Sequence, residues 1–248
     1  MFSYKAPILL YHHVAEEGNP TMTVSPRAFG RQIEQLAEEK RVAPLEEWVE
    51  ADGEDKRRAW RPAFGEARPS RQRNWRTRRP VMITFDDGFL DVYTQAFPLL
   101  QRRRLPATLF MVTDWVGREG FVTWNHLREM AKAGWTIGSH TKSHEYLPDL
   151  SPSRWEEEIR GSKETLEDNL QRPVTLLSYP VGGYTQEIIA RVRGAGYRAA
   201  CTTNRGSSFA FHPYRLTRIK MTESSHRLVV WAKTSGYYEY FKRGKRSH

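Results

Sequence analysis

Short apolar runs alternate with amphipathic stretches along the chain, and the two periods separate cleanly. Pro7–Tyr11, Val81–Phe85, Ala107–Val112, Trp135–Gly138, Val174–Tyr179, Tyr197–Thr202 and Leu216–Met221 have strand length and turn residues at their borders. Between them lie helical patterns. Phe29, Ile33 and Leu36 recur at helical spacing behind Ser25-Pro26, a capping residue followed by proline at the first helical position. Residues 90–103, Trp124–Ala133, Ser151–Leu170, Gln186–Gly194 and Glu223–Lys233 are predicted helices as well. Ser151-Pro152-Ser153 starts the longest of them, and Gly134 stops the one before it. Strands alternating with helices at this spacing imply parallel βαβ units, hence an α/β fold. About seven such units in one chain favour a barrel-like closure over an open sheet. In such a fold the residues just after each strand face the site.

Composition narrows the class. A chain of 248 residues can bury a sizeable core, and 8 Trp, 11 Tyr and 11 Phe exclude a disordered polymer. The one cysteine, Cys201, excludes a disulfide framework and a Cys-rich zinc site. No apolar run approaches the roughly 18–20 residues that cross a bilayer. Lys5 and Ile8-Leu9-Leu10 are too little for a secretory leader. The chain as written is therefore expected in the cytoplasm, or outside it if a leader precedes these residues.

The net charge of +10 is local. Ten basic residues between Lys56 and Arg79 meet one acid, Glu66, and a smaller excess lies in the tail at 242–248. Pro62, Gly65 and Pro69 break any periodicity there, so 52–79 is expected to be a solvated, flexible insertion. The sharper alternative is an arm touching an anionic polymer or surface, with Trp60 and Trp75 for stacking. No nucleic-acid motif accompanies it, so no specific nucleic acid is expected. The rest of the chain is one domain by this reading.

Four predicted strands end in residues that can do chemistry. Val81–Phe85 runs into Asp86-Asp87-Gly88, where glycine permits a turn that brings both carboxylates to one locus. Alone, that dipeptide is equally well a capping turn. Trp135–Gly138 runs into His140-Thr-Lys-Ser-His144, and two histidines four apart on a helical turn share a face and chelate one divalent ion. One Asp with two His on the same rim is a three-ligand set with a position left for water, as catalytic metals need. Tyr179-Pro180-Val181-Gly182-Gly183-Tyr184 is a tight turn whose backbone N–H groups can serve an oxyanion, or simply a turn. Tyr11-His12-His13-Val14 offers imidazoles for general acid chemistry, or structural histidines. Serine-hydrolase elbows, phosphate-binding loops and His-Glu-x-x-His are absent.

Thr84-Phe-Asp-Asp-Gly88 followed by His140-Thr-Lys-Ser-His144 resembles the polysaccharide deacetylase (NodB-homology, carbohydrate esterase) family. The match covers roughly residues 80–205. The opening Tyr-His-His-Val and the later Tyr-Pro-Val-Gly-Gly-Tyr are most similar to the branch that deacetylates poly-β-1,6-N-acetylglucosamine. The resemblance implies a distorted (β/α)7-type barrel and metal-dependent removal of acetyl groups from N-acetylhexosamines in a polysaccharide or glycoconjugate. It also implies Asp86 as general base, Asp87, His140 and His144 as metal ligands, and His12 as general acid. Pro180, Val181 and Tyr184 would line the site. Zinc is the expected ion, with cobalt, nickel and iron(II) compatible with the same donors.

The chain departs from the family pattern where an Arg-x-Pro-Tyr stretch is usual and Ser178-Tyr179-Pro180-Val181 stands instead. The arginine that would orient the base is missing there, and Arg218 is the substitute we name; His13 is a further candidate beside His12. The late Leu-x-x-His and the Asp-x-x-Asp-Trp stretch are also missing. The missing arginine and the altered aromatic position at Val181 support a second reading, a catalytically weak glycan-binding module on the same fold. The sequence is silent on oligomeric state.

Overall fold

The computed structural model describes residues 6–51, 80–203 and 212–235. The basic insertion expected at 52–79 and the basic tail at 242–248 lie outside the described residues. Strand β1 (Ile8–Tyr11) precedes helix α1 (Pro26–Glu39), and β2 (Pro80–Phe85) precedes α2 (90–102). The alternation continues through β3 (Thr108–Met111), α3 (Trp124–Lys132), β4 (Thr136–Ser139) and α4 (152–170). Next come β5 (Leu176–Ser178), α5 (Gln186–Gly194) and β6 (Ala199–Thr202). Two short strands, β7 (Leu216–Thr217) and β8 (Ile219–Lys220), and helix α6 (Arg227–Thr234) complete the described chain.

The main sheet runs in the order β7-β6-β5-β4-β3-β2-β1-β8, and every pairing is parallel. Its two ends are the same piece of chain. The single strand expected over Leu216–Met221 is divided at Arg218: Leu216 pairs with Cys201 of β6, whereas Ile219 pairs with Leu9 of β1. One stave switching neighbours in this way yields a nearly closed barrel of seven staves, the distorted barrel that the resemblance implies.

Side-chain alternation decides what fills it. Ile8, Met82, Phe110, Leu176, Ala199, Cys201 and Leu216 form the inner cluster, joined at the start of the strands by Leu45 and Trp48 from the short helix Leu45–Glu50. The outward set, including Leu9, Ile83, Phe85, Leu109 and Leu177, packs beneath Phe29, Ile33, Leu36, Leu127, Leu166 and Ile188. Each fully buried side chain of this size contributes about 1.5–3 kcal/mol of transfer free energy.

Local chemistry explains the helix borders. Ser25 Oγ accepts the Ala28 N–H at 3.2 Å, a cap worth about 1 kcal/mol. The helix expected from Glu223 starts only at Arg227, because Thr222–Ser225 close a polar turn on themselves and Glu223 accepts from Ser25 N and Oγ. The long helix α4 contains a π-helical turn at Glu157–Gly161, and α2 another at Val92–Ala96. Hydrophobic spacing alone does not reveal either one.

Gly138 tests the packing of the barrel interior. A Cβ there would lie 2.6 Å from the Phe110 ring and 3.0 Å from the Leu176 carbonyl. Gly138→Ala is expected to cost about 1–3 kcal/mol by overpacking, measured as a lower urea midpoint at unchanged slope.

Candidate active site

Period-two alternation carries Met82 and Thr84 inward along β2, and the next inward position is Asp86 at the barrel mouth. Its N–H donates to the Tyr11 carbonyl at 3.1 Å, which ties the mouth of β2 to β1. Asp87 escapes the outward direction through a left-handed backbone (φ +73°), followed by Gly88 at φ +88°. A Cβ on Gly88 would sit 2.0 Å from Met111 Sδ, so this turn tolerates no side chain at that position.

Arg218, the residue at which the last stave divides, points into the same mouth. Its Nη1 and Nη2 donate to Asp86 Oδ1 and Oδ2, both at 2.6 Å, and Nη2 also donates to Ser178 Oγ at 2.8 Å. The guanidinium lies 5.5 Å from the Phe110 ring centroid. Burial pushes the Asp86 carboxyl upward, but Arg218 and then His140 overcome that and hold it well below the usual carboxylate range. Asp86 is thus ionised and fixed in orientation.

His140 and His144 do not share a helical turn, contrary to the geometry expected from their spacing. Residues 140–144 form an irregular loop, with Thr141 and His144 both at φ +66°. The two rings are brought together by that loop and meet edge to face, centroids 4.8 Å apart. His140 Nδ1 lies 2.7 Å from the Ser178 carbonyl, so Nδ1 donates and Nε2 is left as the free lone pair. Trp115 stacks on His144 at 5.2 Å.

The loop is held from below by Glu158, a residue that the sequence does not single out from the other acids of its helix. Its side chain is 0% exposed. Oε2 accepts from Lys142 N and Ser143 N at 3.0 and 2.9 Å, and Oε1 accepts from Ser143 Oγ at 2.7 Å. Glu158 belongs to the π-helical turn of α4, and Ser162, one turn on, meets Ser139 Oγ at 2.8 Å. A carboxylate anchoring two loop amides compensates part of the cost of two left-handed residues.

Asp87, His140 and His144 present one donor atom each, all within 4.8 Å of one another. Asp87 Oδ1 is buried without a hydrogen-bond partner and lies 3.4 Å from both Nε2 atoms. An orphaned carboxylate oxygen facing two imidazole nitrogens is the donor set that a divalent ion such as zinc completes, so the residues fit the expected metal. Burial opposes charge on His140, yet Asp86 and Asp87 reverse this and raise its pKa. Burial and the neighbouring His140 lower that of His144. Each ring ligates only through an unprotonated Nε2, and protons compete for that lone pair, so affinity for a metal falls as pH falls.

The remaining candidates divide. His12 belongs to the cluster: burial lowers its pKa while Asp86 and Asp87 act to raise it, and its Nδ1 is buried without a partner. His13 is engaged elsewhere, with Nδ1 2.6 Å from Asp91 Oδ2 and its ring 3.5 Å above Phe89. Asp91 also accepts from Val14 N at 3.0 Å, a structural role that the sequence reading missed. Pro180 is buried, Val181 is exposed at φ +56°, and Tyr184 packs on Tyr179 at 5.4 Å.

The chain belongs to the polysaccharide deacetylase family, whose model matches residues 73–200. It is 34% identical over 143 residues to YxkH of Bacillus subtilis, covering 55% of this chain and 51% of the relative. It is 27% identical over 135 residues to poly-β-1,6-N-acetyl-D-glucosamine N-deacetylase of Staphylococcus aureus, covering 49% and 47%. The chain thus spans about half the length of the curated relatives it matches. In fold it is similar to the deacetylase PplD of Streptococcus pyogenes, solved with acetate: TM-score 0.78, 24% identity, 92% of this chain and 97% of the other.

Two outcomes follow from the charged contacts. Asp86 has a folded-state pKa below its unfolded value, so the pair's stabilisation is present above the unfolded pKa and is lost as pH falls through the folded one. Arg218→Met reverses the sign, because the buried carboxylate then prefers its proton. The variant should lose about 3–5 kcal/mol at neutral pH, with a deficit that shrinks on acidification, measured by urea unfolding at several pH values. Glu158→Gln removes the loop's anchoring charge and should weaken zinc binding about 10–100-fold in a competition titration.

Proposed function

We propose that this protein is a metal-dependent N-deacetylase that hydrolyses the acetamide of N-acetylhexosamine residues in a glycan. The observation that carries the proposal is the meeting, at one barrel mouth, of an ionised Asp86 clamped by Arg218 with the Asp87–His140–His144 donor set. The likeness to a poly-β-1,6-N-acetyl-D-glucosamine N-deacetylase supports a poly-N-acetylglucosamine as the substrate class.

A divalent ion held by Asp87, His140 and His144 would supply Lewis acidity, lowering the pKa of water and polarising an amide carbonyl. The protein's own residues account for the proton movements. Asp86 accepts the proton of the attacking water. Arg218 keeps that carboxylate deprotonated and aimed, at some cost in basicity, so Asp86 contributes chiefly through position. His12, half-buried and within electrostatic reach of both carboxylates, delivers a proton to the amide nitrogen as the C–N bond breaks, releasing acetate and a free amine. The backbone N–H of Val181, in the turn after β5, serves the tetrahedral oxyanion; those of Gly182 and Gly183 are already given to the Tyr179 and Pro180 carbonyls. The competing reading, a binding module with little turnover, rested on the missing arginine and on Val181 at the usual aromatic position; Arg218 against Asp86 removes the first of these grounds.

Acetate release from N-acetylglucosamine oligomers after metal reconstitution tests the proposal. Asp86→Asn should lower turnover by about 10²–10⁴-fold with metal content retained. His144→Ala should lose the metal itself by elemental analysis. Full activity in both variants would overturn the mechanism.

A further inference from the structure

Among the described residues, four large apolar side chains are exposed, and two of them stand at the barrel mouth. Tyr146 is 42% exposed and lies two residues beyond the ligand candidate His144; Val181 is 67% exposed in the turn after β5. The fold brings their loops into contact. A Cβ on Gly183 would lie 2.1 Å from the Tyr146 ring, so the ring occupies a slot that only glycine leaves open.

Val181 is strained as well as exposed. A β-branched residue at φ +56° costs about 1–3 kcal/mol and persists only when its surroundings impose it. They do so here: Thr203 Oγ1 donates to the Val181 carbonyl at 2.9 Å, and Thr202 Oγ1 donates to the Gly182 carbonyl at 2.7 Å. The same rim carries the Ser178 carbonyl that orients His140. An apolar ring and a β-branched side chain, kept in water at a conformational cost beside a polar centre, are the lining that a small-molecule site uses for an amphipathic ligand.

We propose that Tyr146 and Val181 form a glycan subsite that takes the apolar C–H face of the sugar next to the reacting residue. This inference rests on the deacetylase reading for the identity of its occupant. The reacting acetamide lies over the histidine cluster, so the adjoining sugar of the same chain reaches the rim formed by the loops after β4 and β5. A pyranose offers an apolar ring face and polar edges, complementary to an aromatic face with water on its far side.

The experiment is calorimetric titration of the zinc-loaded Asp86→Asn protein with N-acetylglucosamine, its disaccharide and longer oligomers. Affinity should rise from monosaccharide to disaccharide. Tyr146→Ala, made in the same background, should remove that rise, a loss of about fivefold to tenfold for the longer ligands, whereas Tyr146→Phe should keep it. Gly183→Ala, which displaces the ring while leaving Tyr146 in place, should act like Tyr146→Ala. A length-dependent gain that survives in Tyr146→Ala, or no gain in the parent protein, overturns the subsite. The deacetylase reading fails separately, when the unmutated, zinc-loaded enzyme binds oligomers and releases no acetate.

Discussion

Two hydrogen bonds between Arg218 and Asp86, both 2.6 Å long and both out of water, hold the barrel mouth together. Ions removed from water are costly, and such a pair is tolerable only when geometry is close to ideal and the remaining donors are used. Here the fork is bidentate, Ser178 and Thr84 take one further N–H each, and the Phe110 ring lies 5.5 Å from the guanidinium, while Nε is buried without a partner. Arg218 also sits where the last stave leaves β6 and joins β1. Closure of the barrel and orientation of Asp86 therefore depend on one residue.

Backbone strain collects around that mouth. Six non-glycine residues among those described have left-handed φ. Arg104 and Gln171 belong to helix ends, where such a conformation is ordinary. The other four, Asp87, Thr141, His144 and Val181, all stand on loops that follow barrel strands. Each points a side chain or carbonyl where regular strand or helix geometry would not. The stabilising counterparts are buried Glu158 beneath the histidine loop, buried Thr202 and exposed Thr203 bonded to the Val181 turn, and the absence of a side chain at Gly88. The site is a set of costly local conformations imposed by a stable barrel.

Much of this architecture was legible in the chain. Periods of two and of 3.6 are local properties, so the strand–helix alternation, the Ser25-Pro26 helix start and the strand-end positions of Asp86, His140 and Pro180 could be read directly. The resemblance carried the seven-stave barrel and the donor set. Element ends were less legible, because they depend on turns such as Thr222–Ser225 that close through side chains.

What only the tertiary structure decided are contacts between residues far apart in sequence. Arg218 could be named from the family pattern as the arginine to orient the base, but only folding shows it forking both oxygens of a carboxylate 132 positions away. Glu158 is one acid among several on a polar helix until folding places it under the amides of Lys142 and Ser143. His13 and His12 are neighbours with the same chemistry, yet Asp91 claims the first and leaves the second with the carboxylates. The histidine pair has the spacing of a helical turn and none of its geometry, since its loop is shaped by partners from another element. Local patterning specifies which groups reach the rim; packing across the barrel specifies which of them meet, with what charge and in what orientation.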